Sequence, residues 1–347
     1  MCKHPFYPFP GKSLADAHRV ILEKIKYYRP DVLMPVFDRG WEIFFAYQEQ
    51  YEKYTKIVPQ PGFDLYKVLT DKASLTECAK NNGLDVPMTF IPKTHDEALA
   101  MKEKYPYPVL LKAKKGVAGK GIERANNPVQ LEDALANRSD IPIIQEWIEG
   151  EDLELTVFCT EGRAIAGHVY QSLRNAPLPY GPPVACRSIR DDDFLASGCR
   201  FLQAIGYHGV AHMDFRRDRR DGIPKLLDFN VRIAGTNEIS LRTGVDFGYM
   251  QYQMAMGETP RECFDYEVGR EFRWLFPGEL RHLAQTRNKL RNLRQLLNWR
   301  KVSTEVSLTD PMPHLFLVLD LVYRKMQKMS PRSSQHLADI LSRKEKA

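Results

Sequence analysis

The stretch that most restricts the fold is residues 210–244, VAHMDFRRDRRDGIPKLLDFNVRIAGTNEISLRTG. Two runs of strand character, VAHMDF and PKLLDFN, flank a turn-rich RRDRRDGI whose Asp-Gly pair signals a hairpin. Asp214 closes the first strand, and Asp228 and Asn230 sit two apart on the second. Side chains two apart on a strand share a face, so three oxygen donors converge at one end of the hairpin. Such a set suits Mg²⁺ or Mn²⁺ with substrate phosphates completing the shell. Arg232 continues the same alternation and offers a guanidinium fork to a phosphoryl group. Taken alone, D-x-N-x-R also fits a solvated hairpin, and the remaining segments have to decide.

A chain of 347 residues can bury more than one core, and two or three domains are expected. Its charge is uneven. From Arg281 onward there are fourteen Lys and Arg against five Asp and Glu, in a chain of net charge +6. That basic end fits an acidic partner, a peripheral membrane contact or a solvated helical face. Aromatics are sparse there, which argues against nucleic acid. The six cysteines form no C-x-x-C and are widely spread, as expected of free thiols in a reducing compartment. With no apolar leader at the start, the expected location is the cytoplasm.

Along the chain, residues 13–28 carry a Ser start signal and helical spacing, PDVLMPVF follows as a short buried strand, and GWEIFFAYQEQYEKY as a second helix. Lys72 opens a helix that closes at Gly83, VPMTFI reads as a strand, and THDEALAMKEKY as a helix capped by Thr94. The buried strand PVLLKA is expected to carry Lys112 outward at its end. A glycine-rich loop with Gly116, Gly119, Lys120 and Gly121 comes next, where backbone and lysine can close on a phosphate. It lacks the G-K-[ST] and following helix of a P-loop. IIQEWI is a central strand whose Glu146, Trp147 and Ile148 offer backbone groups to a flat heterocycle. Asp152 and Glu154 alternate onto one face, within reach of a ribose. The proline-rich segment from Leu173 to Ser188 is expected to be a lid loop, DDDFLASGCRFLQAIG a helix, and 281–301 and 313–328 basic helices.

These ordered motifs resemble the ATP-grasp superfamily, in the branch with biotin carboxylase and the carbamoyl-phosphate synthase large chain. TDKASLTECAKNNGLDVP is similar to its D-K helix, YPVLLKAKKGVAGKGI to its lysine and glycine-rich lid, IIQEWIEGEDLEL to its adenine hinge, and DFNVR with TGVDF to its E-x-N-x-R and T-G-x-D segments. The resemblance covers about residues 62–257 and implies an α/β ATP-grasp fold. It divides the chain into a truncated N-terminal α/β domain (1–66), an ATP-grasp domain (67–262, lid about 90–150) and a basic, mostly helical extension (263–347). It also implies roles. Lys72 and Lys112 would bind ATP phosphates under the 116–121 loop. Glu146, Trp147 and Ile148 would line the adenine pocket, and Asp152 would hold the ribose. Asp214, Asp228 and Asn230 would hold Mg²⁺ or Mn²⁺, and Arg232 would stabilise the transferring phosphoryl group. Two departures stand out: aspartates where the family has glutamates, and Val231 where it has proline.

The implied chemistry is ligation of a small carboxylate to an amine. A carboxylate is a poor electrophile until phosphoryl transfer from ATP turns it into an acyl phosphate, and catalysis is then positioning and charge neutralisation. Bicarbonate activation and a non-catalytic ATP-binding subunit are the alternatives, and a homodimer is the expected assembly. Arg174, Arg187, Arg242 and Arg273 are candidates to grip the substrate carboxylate.

Overall fold

The computed structural model describes residues 13–114, 121–286, 289–296, 300–306, 309–312, 315–317, 319–320 and 323. The chain divides into two compact units, Met1–Ser303 and Thr304–Ala347. It opens with helix α1 (Leu14–Tyr28), whose Ser13 cap accepts from the Asp16 N–H. Strand β1 (Val32–Leu33), helix α2 (Asp38–Glu52) and strand β2 (Lys56–Ile57) follow, and β1 and β2 pair in parallel. The strand expected over Pro30–Phe37 is thus only two residues long. Pro35 has no N–H for a ladder, and β2 offers only two partners.

Helices α3 (Phe63–Thr70) and α4 (Lys72–Asn81) come next. Asp71 caps α4 by accepting from the N–H groups of Ala73 and Ser74 at 3.1 and 3.0 Å. Lys72 is therefore fixed in the first turn, and its N–H donates to Lys114 O at 2.9 Å.

A small antiparallel sheet is built from β3 (Thr89–Phe90), β4 (Val109–Lys112), β5 (Glu123–Ala125) and β6 (Ile143–Glu146), in the order β3-β6-β4-β5. Helices α5 (His95–Ala100, capped by Thr94) and α6 (Pro128–Ala136, capped by Asn127) cover one side. Val109, Leu111 and Ile144 pack there with Ala98, Leu131 and Leu135 in a separate core. Alternation turns Leu110, Lys112 and Gln145 to the other side.

The large sheet has the order β11-β10-β7-β8-β9-β12-β13. Its strands are β7 (Gly150–Thr160), β8 (Arg163–Asn175), β9 (Pro183–Ser188), β10 (Gly209–Asp218), β11 (Pro224–Asn230), β12 (Glu271–Arg273) and β13 (Val302–Thr304). Helix α7 (Asp192–Ala204), capped by Asp191, packs Phe194, Leu195, Phe201 and Leu202 onto Leu153, Leu155, Val157, Met213 and Phe215. Helices α8 (Glu238–Thr243) and α9 (Phe247–Met256) follow β11, and α10 (Leu280–Gln285) and α11 (Lys289–Leu296) precede β13. Among the described residues no helix is long and apolar enough to cross a membrane.

Two expectations change here. The proline-rich segment is mostly strand, because Arg174 pairs with Ala185 and Asn175 with Pro183, which leaves only 176–182 as a connection. The basic stretch 281–301 is two short helices rather than one. Most of the helix expected at 313–328 lies outside the described residues.

Gly150 marks where β7 meets β10. A Cβ added there would lie 1.8 Å from the backbone oxygen of Arg217. Gly150→Ala is expected to destabilise the fold at the upper end of overpacking costs, about 3 kcal/mol. Gly235→Ala, in open space, should stay within about 0.5 kcal/mol. Urea denaturation midpoints of the two variants check this.

Candidate active site

Strand register gathers the polar residues. Asp214 lies opposite Asp228 on one side and Glu154 on the other, and Glu154 lies opposite Tyr170. One step along, His212 faces Asn230 and Thr156. Asn230 Nδ2 donates to Asp214 Oδ2 at 3.5 Å, and Arg232 Nη2 donates to Asn230 Oδ1 at 3.0 Å. Arg232 Nε also pairs with Asp38 Oδ1 at 3.0 Å, which brings α2 to the site. Lys72 Nζ donates to Asp228 Oδ1 at 2.7 Å. Asp214, Asp228, Asn230 and Arg232 thus lie together, with Lys72 beside them.

The electrostatics around Asp214 are asymmetric. Burial, reinforced by the nearby charge of Asp214, raises the Glu154 carboxyl well above the usual carboxylate range. Burial also works against ionisation of Asp214, but the charge and hydrogen bond of His212 hold it below that range. Ser172 Oγ donates to Glu154 Oε1 at 3.1 Å.

Lys112 is not directed outward. It is 5% exposed and donates to Gln145 Oε1 at 2.6 Å, and Gln145 Nε2 donates to Thr89 Oγ1 at 2.9 Å. The reason is that the open side of the small sheet faces the large sheet rather than solvent. Burial and then the charge of Lys72 bring the Lys112 ammonium down to about 8.

The hinge residues are held within the fold. Glu146 N–H donates to Met88 O and Trp147 N–H to Pro108 O, each at 2.9 Å. The Glu146 carboxylate accepts from Met88 N–H and Arg220 Nη2 at 2.9 and 2.8 Å. The guanidinium carbons of Arg124 and Arg216 lie 5.0 and 4.6 Å from the Trp147 ring centre. Ile148 is buried, and its carbonyl accepts from Arg216 Nη1 at 3.3 Å. Arg216 Nε also donates to Asp152 Oδ1 at 2.7 Å, and Asn175 donates to the other oxygen at 3.2 Å. A cleft of about 370 Å³ opens beside Glu146 and Trp147, lined further by Tyr107, Arg219 and Arg220. Gly121, with φ of 74°, borders the glycine-rich segment, while Gly116, Gly119 and Lys120 lie outside the described residues.

Residues 69–177 match the family model of the ATP-grasp domain. Over that stretch the chain is similar to the ATP-grasp domain. It is 25% identical over 228 residues to a D-alanine–D-alanine ligase of Anaplasma marginale, a match that spans 58% of this chain and 66% of that ligase, just under two thirds of its length. The biotin carboxylase domain of Hydrogenobacter thermophilus 2-oxoglutarate carboxylase, solved with MgADP and bicarbonate, superposes with a TM-score of 0.63 at 21% identity, covering 75% of this chain and 62% of that one. An L-amino acid ligase of Bacillus licheniformis gives 0.53 at 20%, covering 71% and 61%. The two structural likenesses establish the fold.

Four residues at this site had no place in the sequence reading. His212 precedes Asp214 by two on β10, so the same alternation applied backward from Asp214 would have found it. Gln145 and Arg216 show themselves only through cross-strand pairing, and Asp38 only through the docking of α2. The four arginines expected to grip a carboxylate have protein partners. Arg242 Nε pairs with Glu238 on an exposed helix turn, and Arg187 and Arg273 share Glu271. Arg174 Nε donates to both oxygens of Glu279 at 3.0 and 2.9 Å, and that pair is buried. Glu279→Ala would leave the Arg174 charge buried without its carboxylate and is expected to cost about 3–5 kcal/mol, measurable by chemical denaturation.

Proposed function

We propose that the chain is an ATP-dependent ligase that joins a carboxylate to an amine through an acyl phosphate, releasing ADP and phosphate. One observation carries the proposal: Asp214, Asp228, Asn230 and Arg232 gather beside one face of the β10–β11 hairpin, with Asn230 3.5 Å from Asp214 and 3.0 Å from Arg232, Asp228 opposite Asp214 across the ladder, and Lys72 2.7 Å from Asp228. The likeness to D-alanine–D-alanine ligase supports the carbon–nitrogen chemistry. Small-molecule carboxylate and amine are the proposed substrates, in the cytoplasm, with a homodimer as the assembly.

The donor set fits a divalent cation. Asp214 and Asp228 supply hard oxygens, Asn230 an amide, and among the described residues the buried Glu154 Oε2 has no hydrogen-bond partner. When bound there, Mg²⁺ or Mn²⁺ supplies charge neutralisation for the phosphates of ATP. Lys72 exchanges Asp228 for phosphate oxygen, and Lys112 adds a second cation from the small sheet. Arg232, oriented by Asp38 and Asn230, neutralises charge on the transferring phosphoryl group. The two facing sheets keep water from the acyl phosphate, and the amine attacks its carbonyl carbon and expels phosphate.

The experiment is ADP release over a panel of amino acids. Turnover on some carboxylate–amine pair is expected, with Asp228→Ala losing at least about 100-fold. Nucleotide binding without turnover on any carboxylate would instead mark a binding module. Lys112 also sets a pH signature. Its ammonium, at about 8, loses its proton above that point, so ATP affinity should fall by up to about tenfold per pH unit above pH 8. Titration calorimetry across pH 7–9 should show that loss, and Lys112→Met should abolish the step.

A further inference from the structure

The imidazole of His212 has no role in the chemistry derived so far, yet it sits at the centre of the acid row. Its Nε2 lies 3.0 Å from Asp214 Oδ1 and 3.3 Å from Glu154 Oε2. One donor atom from each of the three residues falls within 4.8 Å of the others. Adjacent ligands of an octahedral ion at about 2.1 Å are about 3.0 Å apart, so the spacing matches two neighbouring edges of one coordination shell. Glu154 and His212 are each 6% exposed. Glu154 Oε2 points into this space and, among the described residues, has no hydrogen-bond partner.

The other imidazole nitrogen is also accounted for. His212 Nδ1 is 3.1 Å from Thr156 Oγ1, directly across the β7–β10 ladder. Cation binding releases the Nε2 proton that otherwise meets Asp214; with Nδ1–H donating to the Thr156 hydroxyl, the Nε2 lone pair then faces the cation between the two carboxylates. Holding the distal nitrogen in this way is how metal-ligating histidines are usually oriented.

We infer that Glu154, His212 and Asp214 form a mixed nitrogen–oxygen cation site that selects an octahedral transition-metal dication of the Mn²⁺ class over Mg²⁺. This deepens the proposed ATP-dependent chemistry, because Asp214 is shared with the expected metal ligands at the hairpin. The selectivity has a simple origin. Imidazole nitrogen is a softer donor than carboxylate or water, and Mg²⁺, which keeps its oxygen shell, gains little from it, whereas Mn²⁺ accepts both donor types.

The test uses the full chain without nucleotide. Mn²⁺ is titrated and followed by electron paramagnetic resonance, with pulsed detection of nitrogen-14 coupling. The expected result is bound Mn²⁺ with a clear nitrogen signal, and Mg²⁺ competing at least about tenfold more weakly. His212→Asn should abolish the nitrogen signal and weaken Mn²⁺ binding about tenfold or more, while Thr156→Val, which removes only the orienting hydroxyl, should weaken binding with the signal retained. No Mn²⁺ binding, or Mn²⁺ bound by the wild-type chain without nitrogen coupling, overturns the inference. So does a nitrogen signal that survives in His212→Asn. The wild-type spectrum decides the matter even if the variants fail to fold. A negative spectrum with intact ADP release would remove the imidazole from the site and leave the ligase chemistry standing.

Discussion

If β10 slipped by one residue against β7, Asp214 and Glu154 would no longer share a face, and His212 would turn toward the helix-covered core. A sheet has period two, so register is an all-or-nothing property. What fixes it here is apolar: Leu153, Leu155, Val157, Met213 and Phe215 must meet α7 on the opposite face. The polar row is therefore positioned by the hydrophobic one. The buried acids are desolvated, and the packing beneath them supplies the rigidity that keeps them close.

The two sheets contribute different things to the site. The large sheet brings acids, an amide, an imidazole and Arg232. The small sheet brings Lys112 and the Gln145 that holds it. Lys72 belongs to neither, yet it touches both, through its backbone to Lys114 and through its ammonium to Asp228. Cations on one side and anions on the other suit a ligand that carries both signs, as a metal–triphosphate does.

Much of this was legible in the sequence because it depended on local rules. Alternation puts Asp228, Asn230 and Arg232 on one face, and the helical segment from Lys72 to Gly83 puts Lys72 at a helix start, before any fold is known. The misreadings share a cause. Lys112 reads as outward from the sequence because a single strand does not reveal that another sheet covers its polar side. The segment from Leu173 to Ser188 reads as a loop because its proline content outweighs partners that arrive from distant strands. Asp38, 194 residues from Arg232 in the chain, has no local signal, and the fates of Arg174, Arg187 and Arg273 were set by glutamates brought in through tertiary packing.

The double attachment of Lys72 has a mechanical side. With its N–H tied to Lys114, just past β4, and its side chain tied to Asp228 on β11, residue 72 ties the small sheet to the large one. Any swing of the small sheet about that point moves Lys112, two residues from the anchor, through a short arc. The β5 edge, a strand further out, sweeps a longer one. A displacement of the small sheet about Lys72 would thus be felt at its β5 edge well before it was felt at the Lys72 and Lys112 ammonium groups.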